Sequence, residues 1–369
     1  MTPHAGRFGC TRSLAPRVPY PHGSMADSPH APGADLHAAP RDTGAGDDGA
    51  GLVSVVIPCY NAADVVAEAI DSALAQRYPA VEVVVVDDAS TDGSWGVVTG
   101  YGDRVRALRL PANGGVSHAR NRGVALARGE WLMFLDADNL MAPDTLDGLV
   151  EAARGAPGSL AACPWEFLQE QAGGWAARPL GRPFAPVGDP LAGWLEGHWA
   201  PPCAVMYPRD VFLSAGGFDE ALRRNEDGDL AMRAFIGGAG VALATRGKGF
   251  YRRHADPHRA LSTDDRSGVG LRSEVRVLDK LVALLARQGR LDAYRPLIEV
   301  QYGHVANHAF QVGDFAVARH CLARGGSGAA RVTRSSTLAG RLLTATLGLE
   351  RKQRVTRLLR GWRAALRGG

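Results

Sequence analysis

The amino-acid sequence predicts an α/β fold built on a mostly parallel β-sheet, and three observations support this prediction. Residues 52–57 and 81–86 are near-continuous apolar runs rich in valine, which are typical of strands covered on both faces. Residues 62–76 follow the first run with apolar side chains at helical spacing. A second helical segment at 116–127 then leads to the apolar run 131–135. Strands that alternate with helices form a doubly wound, mostly parallel sheet.

The first strand and its surroundings argue against one class of nucleotide-binding fold. Pro58 follows the first apolar run, and we expect the strand to end there because proline cannot donate to a strand ladder. No Gly-x-Gly-x-x-Gly motif follows that strand, which disfavours a dinucleotide-binding Rossmann domain. Further strands are predicted at 104–110, 201–208 and 250–254.

The composition indicates a globular protein. Of the 369 residues, 46% are hydrophobic and 22% are charged, which is the usual balance of a folded domain. The five cysteines show neither Cys-x-x-Cys nor Cys-x-x-x-Cys spacing, so a reducing compartment is expected and a thiolate metal site is not. No run of 18 apolar residues is present, so no transmembrane helix is predicted.

The chain is predicted to have three parts. Residues 1–50 are rich in proline, glycine, alanine and histidine without apolar periodicity, and are expected to be disordered and to contain no signal peptide. Residues 51–265 contain the alternating strands and helices, and residues 266–369 are predicted to be helical. A polar segment at 256–267 is a candidate lid over a bound ligand.

The apolar run 131–135 ends in two carboxylates, Asp136 and Asp138. Open α/β sheets bind ligands at the carboxyl ends of their strands. Hard divalent cations prefer oxygen ligands and are often held by one or two carboxylates together with substrate phosphates. The alternative is that both acids only form a turn before the helix expected near Pro143. This stretch is therefore a candidate metal site.

Other functional groups follow the neighbouring strands. Asp87 and Asp88 end the second strand, and Tyr60 follows the first with a flat ring that suits stacking on a base. Asp87 is equally well explained as a turn-forming or helix-capping acid. Arg120 and Arg122 lie on the helix at 116–127, where they suit phosphate oxygens near a helix N-terminus. The alternative for both arginines is a solvated helix face.

Four stretches together resemble the family 2 glycosyltransferases, which have the GT-A fold. They are Ser-Val-Val-Ile-Pro-Cys-Tyr-Asn at 54–61, Val-Val-Asp-Asp-Ala-Ser-Thr-Asp at 85–92, Gly-Val-Ser-His-Ala-Arg-Asn-Arg-Gly at 115–123 and Phe-Leu-Asp-Ala-Asp-Asn at 134–139. Four concordant motifs are more specific than one Asp-x-Asp. The resemblance runs from about 52 to 254. It implies a three-layer GT-A catalytic domain at 51–265, with a mixed, mostly parallel sheet, and a helical C-terminal extension.

The resemblance also implies roles at the donor end of the site. The donor is a nucleotide-diphospho-sugar, with a UDP-sugar favoured. Asp88 is expected to accept a hydrogen bond from the base, with Tyr60 and Pro58 beside it. Asp136 is expected to contact the ribose or the sugar. Asp138 is expected to bind Mn²⁺ or Mg²⁺, which bridges the diphosphate and acts as a Lewis acid.

The catalytic base is implied in the same way. In this family the acceptor hydroxyl is deprotonated by an acid of a Glu-Asp pair that opens a helix, six residues before an arginine. Asp227 and Arg233 have this spacing, so Asp227 is the predicted base, with Glu226 and Asp229 as its nearby competitors. Glu226 and Asp229 are otherwise explained as acids that favour a helix N-terminus. His254 is a predicted metal or phosphate ligand at the end of the last strand.

The end of the chain is strongly basic. Residues 331–369 carry ten basic residues and one acid, Glu350, in a chain of net charge +4. Apolar residues including Trp362 share one helical face there, and a basic amphipathic helix favours an anionic membrane surface. The alternatives are a helix packed on the catalytic domain and a tail that attracts RNA. No nucleic-acid recognition motif accompanies the charge, so no nucleic-acid partner is expected. From the basic helix we expect a cytoplasmic protein that is peripheral at the inner face of the membrane.

The resemblance implies an inverting glycosyltransferase that acts on a glycan, lipid-linked or small-molecule acceptor in polysaccharide, glycolipid or other glycoconjugate synthesis. One alternative is a nucleotidyltransferase, which usually begins with a basic, glycine-rich loop that is absent here. The other is a non-catalytic sugar-nucleotide-binding subunit of a membrane-associated complex, although the acids of the site are retained. Residues 165–200 hold four tryptophans and are predicted to form a loop for carbohydrate stacking or a small aromatic core.

Overall fold

The computed structural model describes residues 51–171, 174–178, 188–254 and 268–333. The predicted N-terminal segment 1–50, the candidate lid at 256–267 and the basic tail after 333 lie outside these residues. The domain boundaries near 50 and 265 therefore stay predictions.

Strands and helices alternate through the α/β region, and helices alone follow it. The strands are β1 (Val53–Cys59), β2 (Val81–Asp87), β3 (Arg106–Arg109), β4 (Trp131–Phe134), β5 (Leu140–Met141), β6 (Leu160–Ala162), β7 (Trp165–Gln171), β8 (Gly174–Arg178), β9 (Val205–Pro208), β10 (Val241–Leu243) and β11 (Gly249–Arg253). The helices are α1 (Val66–Leu74), α2 (Ser94–Thr99), α3 (Val116–Leu126), α4 (Thr145–Gly155), α5 (Pro190–Leu195), α6 (Arg209–Ser214), α7 (Glu226–Ile236), α8 (Val269–Arg287), α9 (Leu291–Val312) and α10 (Phe315–Thr333).

The larger sheet has its strands in the order β10-β6-β9-β4-β1-β2-β3. β1 pairs in parallel with β2 and with β4, so Val53 lies opposite Val81 on one side and Trp131 on the other. β9 runs antiparallel to both of its neighbours, β4 and β6. The predicted mixed, mostly parallel sheet is therefore confirmed.

β1 is longer than predicted, because it continues through Pro58 to Cys59. Pro58 stands in register with Val86 of β2, whereas the pairing of β1 with β4 ends at Val56. The proline thus lies where β1 has lost one of its two ladders. A missing backbone N–H is tolerated at such a position, so the proline does not end the strand.

The region at 165–200, predicted as a loop, contains part of a second sheet with the strand order β5-β11-β7-β8. Trp165 opens β7 and is buried. Its ring centroid lies 4.9 Å from that of Phe167 and 4.9 Å from that of Trp199. Of the two interpretations of this region, a small aromatic core fits Trp165, while Trp199 stays 38% exposed at its edge.

The packing between the sheet and its helices brings the end of β4 close to the start of α7. A Cβ atom at Gly123 would lie 2.4 Å from Cγ1 of Val56, so only glycine allows α3 to lie this close to β1. Phe134 at the end of β4 packs on Phe212 and Phe218, at centroid distances of 5.5 and 4.8 Å. Phe218 belongs to the turn that precedes α7, so this aromatic cluster joins the two regions.

The predicted helical extension is present as α8, α9 and α10. α8 packs on α7, and α9 pairs with α10. Gly313 ends α9 in the left-handed conformation (φ 88°), which allows the chain to reverse into α10. Within residues 51–333, apart from the gaps noted above, no helix is long and apolar enough to cross a membrane.

Candidate active site

The loops after β1 and β2 meet at the carboxyl edge of the large sheet. Asn61 has a left-handed backbone (φ 47°), and its side-chain oxygen accepts a hydrogen bond from Thr91 N at 2.8 Å. The N–H of Asn61 donates to Ser90 Oγ at 3.0 Å. Pro58 is buried just before this contact, whereas Tyr60 is 45% exposed. The ring of Tyr60 is therefore accessible to a ligand at the edge where open α/β sheets bind them.

Asp88 organises a loop. Its two carboxylate oxygens accept hydrogen bonds from the backbone N–H groups of Gly114 and Gly115, each at 2.8 Å, and the residue is 3% exposed. Gly115 precedes α3 with φ 91°, a conformation that glycine adopts without strain. Both oxygens of Asp88 therefore shape the loop before α3, and its predicted hydrogen bond to a base stays a prediction.

Asp87 stabilises a turn, which is the structural role that the sequence left open for it. The side chain is fully buried, and its Oδ2 accepts a hydrogen bond from Ser90 N at 3.2 Å. The same oxygen lies 3.2 Å from Nε of Arg109, whose Nη2 donates to the carbonyl oxygen of Ser90 at 2.8 Å. Asp87 and Arg109 therefore hold the turn that follows β2.

Arg120 joins the acids after β4 to the start of α7. Its side chain is 2% exposed, its Nη2 donates to Oδ1 of Asp136 at 2.6 Å, and its Nη1 donates to Oε1 of Glu226 at 2.9 Å. The guanidinium carbon lies 5.0 Å from the ring centroid of Phe218. A guanidinium enclosed between two acids positions those acids, and the predicted contact of Arg120 with donor phosphates stays a prediction.

A tight turn after β4 presents Asp136 and Asp138. The N–H of Asn139 donates to the carbonyl oxygen of Asp136 at 2.9 Å, and Oδ1 of Asn139 accepts the N–H of Arg252 at 2.8 Å. The turn is thereby tied to β11 of the second sheet. His254 follows β11, and its Nε2 lies 3.1 Å from Oδ2 of Asp138. The structure thus brings together the two predicted metal ligands.

The chemistry of this pair suits a divalent cation that takes its remaining ligands from a substrate. Asp138 is partly exposed, whereas His254 is buried with its Nδ1 3.7 Å from Oε2 of Glu170. The ring of Trp175 packs on His254 at a centroid distance of 5.2 Å and fixes its plane. Among the described residues, no group of three or more His, Cys, Asp or Glu side chains could hold a metal. One carboxylate completed by substrate phosphates is a usual arrangement for such cations.

Asp227 lies in the first turn of α7 beside Glu226, after Asn225 in a left-handed conformation (φ 58°). Burial and the neighbouring charge of Glu226 raise the pKa of Asp227 to about 7, although Arg120 and the N–H of Gly228 act in the opposite direction. A carboxyl group whose pKa lies near neutral pH is suited to take up and release a proton. The geometry therefore gives Asp227 the properties of a general base, while its catalytic role stays a prediction.

Asp229 belongs to a buried ion pair that the sequence interpretation missed. Its side chain is 2% exposed, and its Oδ2 accepts hydrogen bonds from Nη2 and Nε of Arg233 at 2.7 and 2.9 Å. Arg233 also donates to the carbonyl oxygens of Gly217, at 2.7 Å, and of Ala215. The i,i+4 spacing of the two residues could have revealed the pair, which holds the preceding turn against α7.

Taken together, these residues describe a site with two sides. Asp136, Asp138 and His254 form an acidic edge on a mixed α/β sheet, and Asp227 supplies a base-like acid on the facing helix. Arg120 connects the two sides. The fold and the arrangement of these residues are those expected of the GT-A class.

Comparison with known proteins gives one family model and several similar proteins. Residues 54–212 match the family model for glycosyl transferase family 2. The match ends before Asp227 and does not bear on that residue.

Two curated relatives illustrate the similarity. The succinoglycan biosynthesis protein ExoO of Rhizobium meliloti (strain 1021) is 44% identical over 110 residues, covering 30% of this chain and 32% of the relative. An uncharacterised glycosyltransferase of Rickettsia prowazekii (strain Madrid E) is 30% identical over 187 residues, covering 50% of this chain and 58% of the relative. The chain therefore spans between about a third and three fifths of the length of these relatives.

A solved structure supports the fold. The crystal structure of residues 1–349 of S. aureus TarS, in complex with UDP-GlcNAc, matches with a TM-score of 0.59 at 16% sequence identity. The match covers 84% of this chain and 92% of that one. At this identity the similarity establishes the GT-A architecture, and the predicted fold class is confirmed.

Proposed function

We propose that this protein transfers a sugar from a nucleotide-diphospho-sugar to an acceptor hydroxyl, with inversion at the anomeric carbon. The observation that carries the proposal is the shared guanidinium of Arg120, which bonds Asp136 on the donor side and Glu226 beside Asp227. The donor acids and the predicted base are thereby held in one network. Direct displacement needs this fixed geometry, because the attacking and leaving groups must lie on opposite faces of one carbon.

On the donor side, Asp138 and His254 would hold Mn²⁺ or Mg²⁺. When bound, the cation stabilises the negative charge of the leaving nucleotide as a Lewis acid. The exposed ring of Tyr60 would stack on the base, and Asp136 would orient the ribose or the sugar. We favour a UDP-sugar as the donor, and UDP-GlcNAc in the structurally similar TarS is consistent with that choice.

On the acceptor side, ionised Asp227 would accept the proton of the attacking hydroxyl. A bond then forms between the acceptor oxygen and the anomeric carbon, while the bond from that carbon to the nucleotide diphosphate breaks. Because the pKa of Asp227 is raised to about 7, the group can be ionised at neutral pH and still bind the proton. The products are the glycosylated acceptor and a nucleoside diphosphate.

The proposed acceptor class follows from the name of a relative and from the composition of the tail. The name of the ExoO relative refers to succinoglycan biosynthesis, which favours a polysaccharide or another glycoconjugate acceptor. The basic tail at 331–369 would bring the enzyme to an anionic membrane surface where lipid-linked acceptors lie.

A donor panel tests the proposal. UDP-, GDP-, dTDP- and CMP-sugars would be added to the full chain with Mn²⁺, and thermal shift and nucleotide release would be measured. We expect at least one UDP-sugar to raise the melting temperature and to release UDP slowly, because binding to the folded state stabilises it. Asp138→Asn and EDTA should each abolish the Mn²⁺-dependent part of the shift.

Other outcomes contradict the proposal in distinct ways. Release of pyrophosphate from UTP and a sugar phosphate would identify a nucleotidyltransferase. A nucleotide sugar that binds and is never turned over, with water or with any acceptor offered, would identify a binding subunit.

A further inference from the structure

The C-terminal helices hold the segment that carries Asp227. Six contacts join α8 and the residue before α9 to residues 219–236, and all of them come from outside the part of the chain that matches the family. They join Lys280 to Asp219 and to Asp229, Arg276 to the carbonyl oxygen of Ala221 (3.3 Å), Ser273 Oγ to the N–H of Arg223 (2.9 Å), Glu274 to Arg224 (3.0 Å) and Arg290 to the carbonyl oxygen of Ile236 (3.2 Å). Both ends of α7 are thus held by the extension.

Lys280 makes the most central of these contacts. Its Nζ lies 3.0 Å from Oδ1 of Asp229 and also contacts Oδ2 of Asp219. Asp229 is 2% exposed and stands two residues after Asp227 on α7. Asp219 belongs to the turn that precedes α7. One ammonium group therefore joins α8, α7 and that turn.

The charges of this cluster balance. Asp219 and Asp229 carry two negative charges, and Lys280 and Arg233 carry two positive charges. Without Lys280, Asp229 would keep Arg233, while the half-buried Asp219 would lose the cation that joins it to Asp229. The turn and the first turn of α7 would then lose their shared ion pair and could move apart or take in water.

Apolar contacts would keep α8 in place when this charge is removed. Met232 and Ile236 of α7 and Val277 and Leu281 of α8 are buried in the same hydrophobic core. The loss of Lys280 therefore releases the first turn of α7 without undocking the extension.

We propose that Lys280 is a positioning residue for the catalytic base: by joining Asp219 and Asp229, it fixes the first turn of α7 and with it Asp227. The inference rests on the proposed function only in treating Asp227 as the catalytic base. The contact itself belongs to the fold of this chain. The position needs a cation that reaches two carboxylates on different elements.

The test compares Lys280→Met with the wild-type chain in three measurements. Hydrogen exchange reports on the amides of Glu226–Ile236, calorimetry on the binding of UDP with Mn²⁺, and UDP release on turnover of the UDP-sugar found by the donor panel. We expect faster exchange in the first turn of α7, an unchanged dissociation constant for UDP, and a fall in kcat of about tenfold because the base is misplaced.

Two further variants separate positioning from simple loss of stability. Lys280→Arg keeps the charge and the reach, and should restore both kcat and the exchange pattern. Arg272→Met removes another cation of α8, whose partner Asp314 (3.4 Å) lies away from α7, and should leave both unchanged. If Lys280→Met does not fold, Asp219→Asn combined with Lys280→Met restores the charge balance and should fold.

The inference is overturned if Lys280→Met exchanges like the wild type in α7. It is equally overturned if the loss of kcat comes with an equal loss of UDP binding, or if Lys280→Arg does not restore kcat. The exchange measurement needs no turnover, so it decides the positioning role even if no nucleotide sugar proves to be a substrate.

Discussion

The donor side and the base side of the candidate site are held in different ways. Asp136 and Asp138 follow β4 by two and four residues, and the hydrogen bonds of the large sheet fix the end of that strand. Asp227 lies on a helix whose first turn is held by side chains from elsewhere. These include Arg120 of α3, through Glu226, and Lys280 of α8, through Asp229.

The comparison indicates where the site can be altered separately. A change on the base side should impair proton transfer and leave nucleotide binding intact, because the donor acids depend on the sheet. A change at Arg120 should affect both sides at once, because its guanidinium belongs to both. The following predictions start from the largest expected effect.

Asp227→Asn should separate the two sides most clearly. The variant keeps the size of the side chain and removes the proton acceptor, so transfer should fall by about 10²-fold or more. UDP binding with Mn²⁺, measured by calorimetry, should stay within the error of the wild-type value. Near-normal turnover in this variant would exclude Asp227 as the base.

The pH profile of the wild type provides the matching control. The pKa of Asp227 is raised to about 7, so the protonated carboxyl cannot accept a proton below that pH. The value of kcat/KM should therefore fall roughly tenfold per pH unit below about 7 and level off above it. The residual activity of Asp227→Asn should lack this dependence, and a profile shared by both proteins would assign the titration to another group.

Arg120→Met should damage both sides together. Removal of this buried guanidinium leaves Asp136 and Glu226 facing each other without their shared cation. We expect the free energy of unfolding to fall by about 3 kcal/mol, measured by urea denaturation, with weaker UDP binding and slower transfer. Arg122→Met, on the same helix, is the matched control and should cost much less. Loss of transfer alone would show that Arg120 serves only the base side.

Tyr60→Ala should have the smallest effect of these substitutions, and that effect should be limited to nucleotide binding on the donor side. The ring is 45% exposed, so its removal should change stability little. If the ring stacks on the base, the dissociation constant for UDP should rise about tenfold, since base stacking contributes roughly 1–3 kcal/mol. Tyr60→Phe should bind UDP like the wild type. A rise in that variant as well would point to the hydroxyl group and away from stacking.

Much of the donor side could be predicted from the sequence. Runs of valine and other apolar residues predict buried strands, and Asp136 and Asp138 stand at the end of one of them. Strands β7 and β8 at 165–200 were missed, because they contain none of the valine and isoleucine that mark β1 and β2. The end of β1 was predicted too early at Pro58. The free-energy cost of a proline in a strand depends on which neighbouring strand is still paired there, and at Pro58 only β2 is.

The sequence by itself determined the fold class, the family motifs and the order of the acids along the chain, because these depend on local periodicity and on residue identity. Only the tertiary structure decided how these groups are used. Arg120 is buried and Asp88 is engaged because partners distant in the chain, Glu226 and Gly114, approach them in the fold. The contact of Lys280 with Asp229 is of the same kind. Burial and charge pairing depend on which segments, distant in the sequence, come into contact in the fold. Local periodicity and motif spacing do not predict those contacts.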